Sequence, residues 1–183
     1  MSGLPELLAE RVALRWLQSE DTPALFRIYS DAEAMKYWSS PPMTSEDQAA
    51  GLLDGIAKGF EEGSLFEWGV VQRDGGRVIG TVTLASIDRK NKRAEIGFML
   101  DRAVWRQGYM SEALGAALDY AFGPMDLARM EADVDPANEA SLRLLERLGF
   151  QREGYLRERW RVGGGVQDTV LLGLLRREWQ ARS

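Results

Sequence analysis

Neither cysteine nor histidine occurs in this chain of 183 residues. Without cysteine there is no disulfide framework, no thiolate zinc site and no cysteine nucleophile. Without histidine there is no serine–histidine–aspartate triad and no imidazole general base. Acid–base chemistry must therefore run on carboxylates, Tyr, Lys, Ser or water, and no metal is expected. Apolar runs long enough to span a bilayer are also missing, so no membrane partner is expected. Met1 to Glu10 lacks the basic start and long apolar stretch of a secretory signal, and the expected location is the cytoplasm.

What is present is an ordinary globular balance. Hydrophobic residues make up 45%, and the length is usual for one domain around one core. The 28 acidic side chains outnumber the 23 basic ones, for a net charge of -5. A general nucleic-acid binder would show a basic face, so no nucleic acid is expected as a partner. A cationic substrate is compatible with this charge.

Val12, Leu14 and Trp16 alternate with Ala13 and Arg15 as in a half-buried strand. Thr22-Pro23 opens a helix through Tyr29. Ser39-Ser40-Pro41-Pro42 breaks the chain, and Thr44 with Asp47 predicts a capping box for a helix reaching towards Glu62, weakened by Gly51, Gly55 and Gly59. Strands are predicted over Trp68–Gln72, Val78–Ile87 and Ala94–Leu100. The basic run Arg89 to Arg93 between the last two fits a solvated hairpin tip better than a phosphate site. A helix over Ser111–Phe122, a strand over Arg129–Val134 and a helix over Asn138–Leu148 follow, the last stopped by Gly149. Tyr155–Val162 and Thr169–Leu175 make a terminal hairpin around Gly163-Gly164-Gly165. The fold class is α+β, a mixed but mostly antiparallel central sheet of about seven strands flanked by about four helices.

The chemistry concentrates in Ala94-Glu95-Ile96-Gly97-Phe98-Met99-Leu100 and in Trp105-Arg106-Gln107-Gly108-Tyr109-Met110-Ser111-Glu112-Ala113. A strand feeds a short loop that opens into a helix. The first amides of that helix lack internal partners and sit at the positive end of its dipole, which suits phosphate. Gly108 allows the backbone to approach a pyrophosphate closely. Alone, it reads more readily as a glycine that permits a tight turn.

The wider pattern resembles motif A of the GNAT superfamily of N-acetyltransferases. Through Ala94 to Phe98 with Trp105, Gly108, Tyr109, Glu112 and Ala113, it is similar to the RimJ/RimL-type branch, the ribosomal-protein N-terminal acetyltransferases and their relatives. Val134-Asp135-Pro136-Ala137-Asn138-Glu139-Ala140-Ser141, running to Leu148-Gly149-Phe150, is similar to the family's next motif. Gly154-Tyr155-Leu156-Arg157 through Asp168-Thr169-Val170-Leu171 is similar to its terminal hairpin. The resemblance runs from Arg11 to Trp179, within a single N-acetyltransferase domain expected over residues 1–183. Arg106, usually a glycine in the family, and Met110, usually small, depart from the pattern.

The resemblance implies the GNAT fold, acetyl-CoA as co-substrate, and direct attack of a primary amine on the thioester in a ternary complex. It implies a pantetheine seat on Phe98, Met99 and Leu100, with a backbone N–H there stabilising the oxyanion. It also implies a pyrophosphate cradle over Arg106, Gln107, Gly108, Tyr109, Met110 and Ser111. Asn138 is placed at the pantetheine arm, and reads equally as a helix cap. Glu95 is the candidate base; a strand glutamate that pairs with Arg or faces solvent is the other reading. Ser141 is the candidate to protonate the leaving thiolate, and reads equally as a plain first-turn serine. Leu145 stands where many GNAT enzymes carry a tyrosine, with Tyr109 and Tyr155 in reserve.

For the acceptor, an α-amine with a pKa of about 8 needs less help than a lysine at about 10.4. A protein or peptide N-terminal α-amine is expected. The alternatives are a small-molecule amine (polyamine, aminoglycoside or amino-acid derivative) and a non-catalytic acyl-CoA-binding regulatory module. A mononucleotide-binding protein would need a P-loop ending or a dinucleotide fingerprint that is missing here. The expected pocket lining is Trp38, Phe60, Trp68, Tyr155 and Trp160. Dimers are common among relatives, so a homodimer is one expected assembly.

Overall fold

Alternation along the strands decides which side chains meet which helices. In β6 (Arg129–Val134), Met130, Ala132 and Val134 are buried while Arg129, Glu131 and Asp133 stay partly open. The computed structural model describes residues 3–182. Besides β6 it has β1 (Leu7–Leu8), β2 (Val12–Arg15), β3 (Phe66–Gln72), β4 (Val78–Asp88), β5 (Arg93–Leu100), β7 (Gln151–Val162) and β8 (Gly165–Leu175). The helices are α1 (Thr22–Tyr29), α2 (Glu46–Glu62), α3 (Tyr109–Phe122), α4 (Glu139–Arg147) and α5 (Arg176–Gln180).

The eight strands form one sheet in the order β1-β2-β3-β4-β5-β6-β8-β7. Neighbours run antiparallel except β5 and β6, which are parallel and joined by the α3 crossover. Parallel neighbours require such a crossover. One face of the sheet buries Ile79, Val82, Leu84 and Ile96 against Leu114, Leu118 and Leu145 of α3 and α4. The other face sets Val71, Val78 and Met99 against Leu25, Ile28, Tyr29 and Ile56 of α1 and α2. Among the described residues, no helix is long and apolar enough to cross a membrane.

The mixed α+β architecture matches the expectation, with two additions. Leu7 and Leu8 pair with Leu14 and Ala13 as a short edge strand, where no strand was anticipated. The second addition is α5, whose Trp179 indole donates to Asp119 Oδ1 of α3 (2.8 Å). The start of α2 also differs. Its N-cap is Ser45, and the Thr44 N–H donates to Gln48 Oε1 (2.6 Å) rather than forming a box with Asp47. Gln reaches further than Asp by one methylene, which brings its acceptor back over the helix start. Gly51 and Gly55 leave α2 unbroken, with open space where their Cβ atoms would be.

Candidate active site

β5 and β6 pair through only three residues, Arg93 with Arg129, Ala94 with Met130 and Glu95 with Glu131. Beyond Glu95 the pairing ends, while β6 stays paired with β8 as far as Val134. The β5 edge from Ile96 to Leu100 therefore faces an opening. The phase of its amides follows from the antiparallel ladder with β4. Asp101 N–H donates to Ile79 C=O (2.7 Å), and bonding residues alternate along the strand. Gly97 and Met99 thus turn their backbone groups to β4, and Phe98 and Leu100 turn theirs to the opening. This corrects the expected role of Met99: its amide belongs to the ladder, and its side chain is buried under the α1–α2 layer.

A bracket closes the end of this edge. The Trp105 indole N–H donates to Leu100 C=O (2.8 Å), folding the following turn back on the strand. Gly108 is the N-cap of α3 at φ +85°, in the left-handed region where a side chain is strained. A Cβ there would lie 3.0 Å from Arg11 Nη2. Arg106 also adopts a positive φ, +62°, at a conformational cost of about 1 kcal/mol. This is the position where the family pattern usually has glycine. Ser111 is half-buried on the first turn and Met110 is buried beneath it.

Arg11, just ahead of β2, was missed by sequence reasoning. Its backbone N–H donates to Glu112 Oε2 (2.9 Å) and its Nε to Glu112 Oε1 (2.6 Å). Its Nη2 donates to Gln107 C=O (2.9 Å), and its guanidinium lies 4.7 Å from the centre of the Tyr109 ring. The turn is therefore held from outside by a cation that also neutralises the carboxylate of the first helical turn.

On the α1–α2 face, Glu95 is half-buried and stands beside Glu131 in the register. Burial raises its pKa, the Asp133 carboxylate raises it further, Arg159 opposes this, and Glu131 adds to the rise. Asp133 accepts from the Trp160 indole (3.0 Å), the Thr169 hydroxyl and Arg159 Nε (3.5 Å). A β-bulge between Leu156 and Trp160 aims that tryptophan, and Asp168 fixes the bulge by accepting from Glu158 N–H (2.8 Å) and Tyr155 OH (2.6 Å). Trp38 closes the same face, 3.9 Å from where a Gly97 Cβ would be.

Two residues expected in the acceptor pocket belong to the core. Trp68 is 0% exposed on the α3 face, edge-on to Tyr120. Phe60 packs against Trp16 and Phe66. Leu145 is buried and Asn138 is the N-cap of α4, its Oδ1 accepting from Ser141 N–H (3.2 Å). Ser141 is half-buried in the first turn of α4.

An unpaired strand edge, a glycine-capped helix start and a carboxylate on the central strand lie together, and the pattern of the acetyltransferase (GNAT) domain matches residues 11–151. The chain belongs to the GNAT acetyltransferase family. It is similar to a Bacillus licheniformis protein named uncharacterized N-acetyltransferase p20, 38% identical over 173 residues, 94% of this chain and 97% of that one. Spermidine N(1)-acetyltransferase of Escherichia coli (strain K12) is 27% identical over 173 residues, 94% of this chain and 90% of that one. Mycobacterium smegmatis RimJ, solved in complex with CoA-disulfide, shares the fold at a TM-score of 0.85 and 23% identity, covering 95% of this chain and 87% of that one. As a GNAT protein the chain is an acyltransferase, and the RimJ/RimL-type resemblance is consistent with these neighbours.

Proposed function

We propose that this GNAT protein transfers the acetyl group of acetyl-CoA to the α-amine of a protein or peptide N-terminus, residues 1–183 acting as one unit. The observation that carries the reading is the parting of β5 and β6 directly after Glu95, beside the amides that open α3. The outward amides of Phe98 and Leu100 serve the pantetheine, whose polar groups give the exposed edge its partners. The turn from Arg106 to Ser111 serves the pyrophosphate, with Gly108 letting the main chain come close. Asn138 keeps Oδ1 on its own helix and offers its amide N–H groups to the pantetheine arm.

In the reaction, an N–H of β5 stabilises the developing oxyanion. Glu95 takes a proton from the attacking nitrogen, its raised pKa bringing it nearer neutrality, where a base works best. Ser141 supplies a proton to the thiolate. A second reading, a polyamine acceptor, is favoured by Glu95, Glu131 and Asp133 lying together, with Arg93 and Arg129 on Glu131 and Arg159 on Asp133 offsetting part of their charge; the relative from E. coli is named for spermidine.

The test is thiol release from acetyl-CoA with a panel of free-N-terminus peptides, spermidine and an aminoglycoside. Peptide turnover at least about tenfold above spermidine in kcat/KM is the expected result. The reverse order establishes the polyamine reading. Saturable acetyl-CoA binding with no thiol release from any acceptor overturns the enzyme reading in favour of a regulatory acyl-CoA module.

A further inference from the structure

A second carboxyl lies on the same face, deeper in. Glu67 of β3 is 4% exposed, and Tyr29 of α1 covers it. Tyr29 OH shares a hydrogen bond with Thr81 Oγ1 (2.7 Å), and Thr81 itself is 0% exposed. Tyr29 OH also lies 3.5 Å from Glu67 Oε1, and the hydroxyls of Thr83 and Thr81 on the neighbouring strand favour the charged form of its carboxyl. An aliphatic or aromatic core would be the simpler filling here, because burying a carboxyl costs free energy that hydroxyls offset only in part.

The register shows where this cluster leads. Glu67 is opposite Thr83, and Thr83 is opposite Gly97 of β5. Thr83 is half-buried, unlike Thr81, and so is Gly97. The missing side chain at Gly97 leaves a hollow bounded by Thr83 Cβ at 3.8 Å and Trp38 at 3.9 Å from the vacant Cβ position. This hollow is two residues along β5 from Glu95 on the same face, in the stretch where β5 is no longer paired with β6. Thr83 therefore stands between the sealed carboxyl and this hollow, with its Cβ on the hollow's rim.

Acetyl transfer to a primary ammonium removes two protons from its nitrogen. A primary ammonium loses one proton to become nucleophilic and a second when its nitrogen becomes an amide. One of these replaces the acetyl group on sulfur, and the other leaves to solvent. A second acceptor beside Glu95 lets both protons leave the nitrogen without an intervening exchange with solvent.

We propose that Glu67, acting through the Thr83 hydroxyl, receives the first of these protons. The ammonium gives its proton to Thr83 Oγ1 as the Thr83 hydroxyl proton passes to the Glu67 carboxylate, leaving a neutral amine and a protonated Glu67. Glu95 then takes the second proton from the tetrahedral intermediate, and Glu67 releases its own to water by the same route. Thr83 is the catalytic residue of the pair, since the proton passes to and from the amine through its hydroxyl, and Glu67 acts through it. Burial pushes Glu67 up to about 7, against the hydroxyls of Thr83, Thr81 and Tyr29, none of them a cation. A carboxyl titrating there exchanges protons freely at neutral pH.

The inference rests on the proposed acetyl transfer, and the experiment separates the two. The pH profile of kcat and kcat/KM is measured across about pH 5.5 to 9 for the wild type, Thr83→Val, Thr83→Ser, Glu67→Gln and the Thr83→Val/Glu67→Gln double variant, with spermidine and a free-N-terminus peptide as probes. Thr83→Val and Glu67→Gln should each lower kcat about 30-fold, with the acetyl-CoA KM within about twofold. The double variant should lose no more than either single one, Thr83→Ser should stay within about threefold of the wild type, and Glu67→Gln should lose the acidic limb near neutrality. Unchanged kcat in Thr83→Val, multiplicative losses in the double variant, or altered melting with an intact pH profile would each overturn the relay alone. Wild-type protein that binds acetyl-CoA and acetylates neither probe overturns the proposed function and the relay with it.

Discussion

The wall of the opening formed by β5 and the Arg106–Ser111 turn presents main-chain amides, whereas the α1–α2 face presents Glu67, Thr83, Glu95 and Asp133, one from each of four strands. The first wall depends on φ angles and on where pairing stops. Trp105 and Arg11 hold this wall in place, Trp105 through Leu100 C=O and Arg11 through Gln107 C=O and the Glu112 carboxylate. The second depends on which side chains share a face, and its main chain is ordinary ladder. Substitutions should thus separate cleanly: backbone changes should act on the donor, and side-chain changes on protonation and the acceptor.

The largest expected effect probes the side-chain wall without any ligand. Glu67 has a folded pKa of about 7 against 4.5 for the free group, so the protonated form is favoured by folding. The stability tied to it is complete below about pH 4.5 and is lost as pH rises through about 7. Glu67→Gln should abolish that slope, worth about 3 kcal/mol, in denaturant melts at acid and at mildly alkaline pH. Parallel wild-type and variant curves would show that Glu67 does not titrate there.

Next, Glu95→Gln should lower kcat about 100-fold while isothermal titration finds acetyl-CoA affinity within about twofold. A matching loss of donor affinity would blur the two walls. In the other direction, Gly108→Val should weaken acetyl-CoA about 30-fold, because a β-branched residue at φ +85° is strained and its Cβ meets Arg11. Unaltered affinity would refute the cradle. The smallest effect is at Asn138, where replacement by Ala should cost about 1 kcal/mol as a lost cap. If acetyl-CoA affinity also falls beyond the experimental error, its amide group touches the donor as well.

This division explains how much was readable beforehand. Trp105, Gly108 and the β5 edge lie within one continuous stretch, so the donor wall appears as a motif along the chain, and Glu95 of the other wall is read together with it. Seven of the strands and four of the helices were equally readable, because their periodicity is local. The two-residue β1 and five-residue α5 are too short to show a period. Glu67, Tyr29 and Thr83 come from three elements whose register alone brings them together, and Glu67 precedes a tryptophan that points to the opposite face. Asp133 alternates with the buried Ala132 and Val134, which along the chain marks it only as an outward residue of a strand. Its partners Trp160 and Thr169 are supplied from the hairpin.

Arg11 has one further consequence. It joins the base of β2 to the turn at Gln107 and Glu112, although Arg11 and Glu112 are 101 residues apart in sequence. Proteins open in local cooperative units, and a tie of this kind places the strand and the turn in the same unit. Whatever settles on the turn therefore slows amide hydrogen exchange in Val12–Arg15, which makes a remote strand a reporter of whether the donor is seated.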